Sequence, residues 1–152
     1  MISKSDTKFC YKLMVIDDDP QIRKSMITML RSIKNELNIH SEIIEGVDGK
    51  DIIDYCFNPM NNNVKNIIFT DEHMKEMNGS EAIKYVRDYE KKFRNIYHLF
   101  VSISSLNNEK FQKEIIECGA NFVFNKPLSK NKLKEFLENI VNKLFIILAS
   151  YI

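Results

Sequence analysis

Three aspartates in a row, Asp17-Asp18-Asp19, stand directly behind a short apolar run, Lys12–Ile16. Asp71, with Glu72 beside it, ends a second such run, Asn66–Thr70. Ser104 and Ser105 follow Tyr97–Ile103, and Lys126 follows Asn121–Phe124. Carboxylates packed closely repel one another, and at least one pKa rises unless a cation is present. Oxygen donors without clustered His or Cys suit a hard ion, Mg²⁺ first, with Mn²⁺ or Ca²⁺ as alternatives. A lysine and a hydroxyl beside such an ion are the parts that hold phosphoryl oxygens. A carboxylate can itself take the phosphoryl group as an aspartyl phosphate. An Asp behind a strand is also an ordinary helix cap or turn residue. That explains Asp19 ahead of Pro20, but not chemically matched groups at four strand ends. The residues alone point to Mg²⁺-dependent phosphoryl chemistry.

Such groups converge only if the strands end together. Apolar runs of this length suit strands buried on both faces of a parallel sheet. Between them lie helix-like stretches: Ile22, Met26, Met29, Leu30, Ile33 and Leu37 recur at spacings of three and four. Glu42–Val47 is a further strand, closed by the turn signal Asp48-Gly49. A short helix follows, carrying Ile52, Ile53 and Cys56, then an asparagine-rich loop over Met60–Asn66. Ala82, Ile83, Val86 and Tyr89 mark a third helix. Phe111, Ile115 and Cys118 mark a fourth, stopped by Gly119. Leu133, Phe136, Leu137, Ile140 and Leu144 mark the last. Alternating strand and helix predicts an α/β fold with a doubly wound parallel sheet, whose functional crevice lies at the carboxyl ends of the strands.

The 152 residues suit one domain with a full core. Basic and acidic residues nearly balance, 22 against 21, and are scattered, so no nucleic-acid footprint is expected. The longest apolar run, Leu144–Ala149, is too short to insert across a membrane. Three cysteines, Cys10, Cys56 and Cys118, lie far apart, which suits reduced thiols in a cytoplasmic protein. Residues 1–10 read as a flexible N-terminal segment, 11–144 as the domain and 145–152 as an apolar C-terminal extension.

The segments VIDDDP, IIFTDEHMKEMNGSEAI, VSISS and FNKP resemble, in order and spacing, the four signatures of response-regulator receiver domains, the CheY-like phosphoacceptors of two-component signalling. The resemblance implies a (βα)5 flavodoxin-like fold of strand order 2-1-3-4-5. It implies Asp71 as phosphoacceptor. Asp17, Asp18, Asp71 and the backbone carbonyl of His73 would hold Mg²⁺, or Mn²⁺. Ser104 and Lys126 would bind the phosphoryl group and switch, and the bond before Pro127 would be cis. The donor would be a histidine kinase or a histidine phosphotransfer protein, and homodimers are candidates. Such a domain is not a turnover enzyme; it catalyses its own phosphorylation and slow dephosphorylation. The stretch EMNGSEAIKYVR is closer to receivers of hybrid histidine kinases.

Three positions depart from the family pattern. Lys75 stands at the usual proline, which predicts a more mobile loop after Asp71. His73 could influence the attacking water, although a lone loop histidine is more often simply solvated. Val123 stands where a Tyr or Phe usually swings inward, and strand alternation points Phe122 and Phe124 to the other face. Two alternatives stay open: a phosphate-free pseudo-receiver, and a haloacid-dehalogenase-type phosphatase using the DxD of Asp17 and Asp19.

Overall fold

A computed structural model describes residues 11–61, 65–93 and 98–149, with 144–149 as backbone only. The expected flexible segment 1–10 lies outside these residues, as does Tyr97. The element order is β1 (Tyr11–Ile16), α1 (Pro20–Glu36), β2 (Ser41–Gly46), α2 (Gly49–Cys56), a 3₁₀ turn (Pro59–Asn61), β3 (Lys65–Asp71), α3 (Gly79–Lys92), β4 (Leu99–Ser104), α4 (Glu109–Glu117), β5 (Phe122–Asn125) and α5 (Lys130–Ala149). The strands form one parallel sheet in the order β2-β1-β3-β4-β5, as the resemblance implies.

Strand alternation sorts the core into two layers. Leu13 and Val15 of β1, Ile67 and Phe69 of β3, and Val101 and Ile103 of β4 face α1 and α5. They meet Met26, Leu30 and Ile33 on one helix and Leu133, Phe136 and Leu137 on the other. Met14, Ile16, Ile68 and Phe100 face the opposite way, against Ile52 of α2, Ile83 and Val86 of α3, and Ile115 of α4. Both faces are covered, which is why β1, β3 and β4 read as apolar runs.

Several details differ from the sequence expectations. β3 runs one residue further, so Asp71 is the last strand residue, and β4 likewise includes Ser104. Asp48 is the N-cap of α2 in a reciprocal capping box with Asp51, rather than part of a free turn. Ile22 belongs to the α1 stripe by spacing but is 43% exposed, because its turn overhangs the cavity described below. Helix α5 continues to Ala149, through the first part of the segment read as an extension.

Candidate functional site

The polar residues at the strand ends divide into those that meet and those that do not. Asp17 closes β1 and is buried. Its Oδ1 accepts the Asp19 N–H at 2.9 Å, which fixes the turn into α1, and its Oδ2 accepts from Lys126 Nζ at 3.0 Å. The same ammonium reaches Asp71 Oδ1 at 2.9 Å. Asp17, Asp18 and Asp71 each place a carboxylate oxygen within 4.8 Å of the others. Lys126 thus bridges the ends of β1 and β3 from the loop after β5, and the Lys126–Pro127 bond is cis.

Burial raises the pKa of the Asp71 carboxyl; Lys126 opposes this, while the Asp17 charge adds to it, and the net direction is upward. Burial also disfavours the Lys126 ammonium, but its two carboxylate partners outweigh that and leave its pKa raised. Lys126 pairs with Asp17 and Asp71, the exposed Asp18 adds a third carboxylate, and the nearby Arg23, which donates to the Asp17 carbonyl at 2.7 Å, is paired with Glu45, so among the described residues the cluster is acidic. The donor set is all oxygen, and it fits a hard divalent cation.

Three acidic residues seen at the strand ends in the sequence divide differently. Asp19 accepts the N–H groups of Gln21 and Ile22 and caps α1. Glu72 does not join the cluster: it is buried, and its carboxylate takes the Ser80 N–H at 3.0 Å and the Ser80 hydroxyl at 2.5 Å, at the start of α3. Asp18 is exposed and stays with the cluster.

Ser104 is buried, and its Oγ accepts the Leu106 N–H at 3.1 Å. His73 is exposed, with its ring 6.3 Å from that of Phe111. Val123 packs in the layer beneath α3 and α4, while Phe122 and Phe124 turn to the opposite face and pack edge-on to Phe136, at 5.0 and 5.4 Å. Beside the cluster a cavity of about 570 Å³ opens between α1 and the segment after β5. Ile22, Met26, Phe69, Ser105, Lys126 and Pro127 are among its lining residues. Ser105 is the polar residue here that the strand-end reading noticed without assigning.

The family profile of the response regulator receiver domain matches residues 13–138. The chain belongs to that family. Among curated proteins, this receiver domain is 33% identical over 132 residues to the chemotaxis protein CheY homolog of Campylobacter jejuni, covering 86% of this chain and 92% of that one. The receiver domain of the sensor histidine kinase PA1611 from Pseudomonas aeruginosa, crystallised with a magnesium ion in its active-site cleft, superposes with a TM-score of 0.66 at 16% identity. That match covers 84% of this chain and 94% of the other. The receiver domain of Ssk1 from Saccharomyces cerevisiae, solved with the histidine phosphotransfer protein Ypd1, superposes with a TM-score of 0.63 at 18% identity, over 81% and 83% of the two chains. Membership of this receiver family removes the phosphatase alternative, and Asp19, the second Asp of its DxD, is engaged in capping α1. No helix among the described residues is long and apolar enough to cross a membrane.

Proposed function

We propose that this receiver domain takes a phosphoryl group from a phosphohistidine onto Asp71 and changes its surface in response. The observation that carries the reading is the Lys126 ammonium, held by Asp17 and Asp71 together at 3.0 and 2.9 Å within an otherwise acidic cluster. A carboxylate oxygen of Asp71 attacks phosphorus, the P–N bond breaks with its electron pair going to nitrogen, and the donor imidazole, already protonated on its other ring nitrogen, leaves as the neutral ring. The developing negative charge falls on phosphoryl oxygens, and Lys126 is the cation on this chain placed to meet it. Asp17, Asp18, Asp71 and the His73 carbonyl would hold Mg²⁺, or Mn²⁺ in its place. Bound there, the ion supplies charge compensation for a dianionic phosphoryl group beside carboxylates. Ser104 would exchange its bond to Leu106 for one to the phosphoryl group, releasing the β4–α4 loop.

The donor in this reading is a histidine kinase or a histidine phosphotransfer protein, the class of partner seen with the Ssk1 receiver domain. The working domain is residues 11–144, in the cytoplasm, with the apolar extension as a candidate dimer contact. The decisive measurement is intact mass after incubation with Mg²⁺ and acetyl phosphate. Wild type gains one phosphoryl group and Asp71→Asn gains none. Equal labelling of both proteins, or no labelling of wild type by acetyl phosphate or by a panel of phosphohistidine proteins, rejects the reading.

A further inference from the structure

The loop after Asp71 carries the His73 carbonyl and has Lys75 where the family usually has a proline, yet it is fastened at both ends. At its start the Glu72 carbonyl accepts the Gly79 N–H at 3.0 Å, and the Glu72 carboxylate is held by Ser80. At its far end the fastening comes from another part of the chain. Asp48, between β2 and α2, points Oδ2 at the N–H groups of Glu76, at 2.9 Å, and Met77, at 3.4 Å. Gly49 N–H donates to the Met77 carbonyl at 3.2 Å, and Lys50 pairs with Glu76.

We propose that Asp48 is a positioning residue for the phosphoacceptor site: its carboxylate clamps residues 76–77 and so fixes the loop that carries the His73 carbonyl, a ligand of the proposed metal. The inference rests on the reading of Asp71 and Mg²⁺ given above.

The two oxygens of Asp48 have separate duties, which makes the proposal distinct from helix capping. Oδ1 accepts the Lys50 N–H at 3.1 Å and caps α2. Oδ2 faces the loop. The group is buried, at 9% exposure. Burial works against the charged form, but the N–H groups of Glu76, Lys50 and Met77 prevail and lower its pKa. A proline at 75 would restrain the loop through its own φ; here the restraint comes from outside. Gly49 is part of the same clamp. A Cβ there would stand 2.7 Å from the Met77 carbonyl oxygen and 2.9 Å from Met77 Cγ, so a side chain at 49 forces the loop away from α2.

Two substitutions separate the duties. Asp48→Ser keeps a good N-cap for α2 but cannot reach the loop. Gly49→Ala improves helix propensity and displaces the loop sterically. Mg²⁺ affinity is read by NMR titration on wild type and both variants, together with amide exchange at Glu76 and Met77. The expected result is Mg²⁺ binding weakened by about tenfold in each variant, the size usual for loss of an outer-shell partner. Faster exchange at the two amides and acetyl phosphate labelling that recovers when Mg²⁺ is raised should accompany it. Wild-type Mg²⁺ affinity in both variants, or a labelling defect that added Mg²⁺ does not correct, overturns the proposal while leaving the Asp71 reading intact. Wild type that binds neither Mg²⁺ nor Mn²⁺ and is not labelled overturns both.

Discussion

Two charge clusters sit at opposite edges of the same sheet, and they are built on opposite terms. At the carboxyl ends of the strands, Asp17 and Asp71 share the ammonium of Lys126, with the carboxylate of the exposed Asp18 beside them. At the amino ends, the Arg87 guanidinium donates to the carbonyls of Gly119 and His98, to Glu90 and to Asn121, at 2.7 to 2.9 Å, and lies 4.8 Å from the centre of the Phe100 ring. Glu90 in turn accepts the His98 N–H at 2.8 Å, and Asn121 accepts the Phe100 N–H at 2.8 Å. Gly119 closes α4 at φ 115°, and a Cβ there would come within 2.5 Å of Arg87 Cγ. In this second cluster each charge meets its opposite, and loop carbonyls take up the remaining donors. It is a joint between α3, β4 and β5. The first cluster is left with surplus negative charge. Under the proposed reading a bound cation would offset that surplus. Functional sites commonly keep such imbalance while the rest of the fold satisfies itself.

The largest difference between the two clusters should come from Asp71→Asn. Labelling by acetyl phosphate should disappear completely, and without Mg²⁺ the variant should melt above wild type, because burial and Asp17 both disfavour the Asp71 charge. A variant that melts lower would mean that the cluster is structural after all. Arg87→Ala should do the reverse. It leaves Glu90 buried and unpaired, with side-chain exposures of 13% and 8% for the pair, at a cost of about 3–5 kcal/mol of stability in urea unfolding. Mg²⁺ affinity of the folded protein should not change.

Lys126→Ala comes next. It removes a charge-assisted contact worth about 1.5–3 kcal/mol, so labelling at saturating Mg²⁺ should slow by roughly ten- to a hundredfold. Unchanged labelling kinetics would remove Lys126 from the chemistry. The smallest effect is a pH dependence from the opposite edge. His98 is buried, with Glu90, Arg87 and the Cys56 backbone as polar neighbours. Burial lowers its pKa below the usual 6.5, with Glu90 partly opposing and Arg87 adding to the decrease. As pH falls below 6.5 the unfolded chain protonates first, so stability drops with falling pH until the folded-state pKa is reached. His98→Phe should flatten that slope in unfolding measured between pH 7.5 and 5.5, a range about the ordinary histidine pKa; an equally steep slope would assign it to other groups.

Much of this was legible in the sequence. Periodicity located β1, β3 and β4 most sharply, because strands buried on both faces need runs of apolar residues and these differ from helical stripes. The strand ends then located Asp17, Asp71, Ser104 and Lys126 without any structure. The misjudged residues have a common cause. Glu72 looked like part of the acidic group, but the direction of its side chain depended on the loop that brings Ser80 back to it. Asp48 looked like a turn residue because Asp-Gly is a strong turn signal. Its spacing from Asp51 carried a capping-box pattern that would have marked the helix start. Nothing local could have revealed its bonds to Glu76 and Met77, which span 28 and 29 residues. The loop for which the missing proline predicts mobility carries these long-range bonds.

Residue order and type were therefore enough for the kind of fold and for the polar groups that stand at the carboxyl ends of its strands, since both follow from short-range patterning and from which residues end which strands. Tertiary structure decided which carboxylates share Lys126, which are consumed as caps, and what holds the loop after Asp71. Those are matters of distance between segments far apart in the chain. Lys126 and Asp17, 109 residues apart, meet at 3.0 Å only because the sheet sets β1 next to β3 and ends all its strands at one edge.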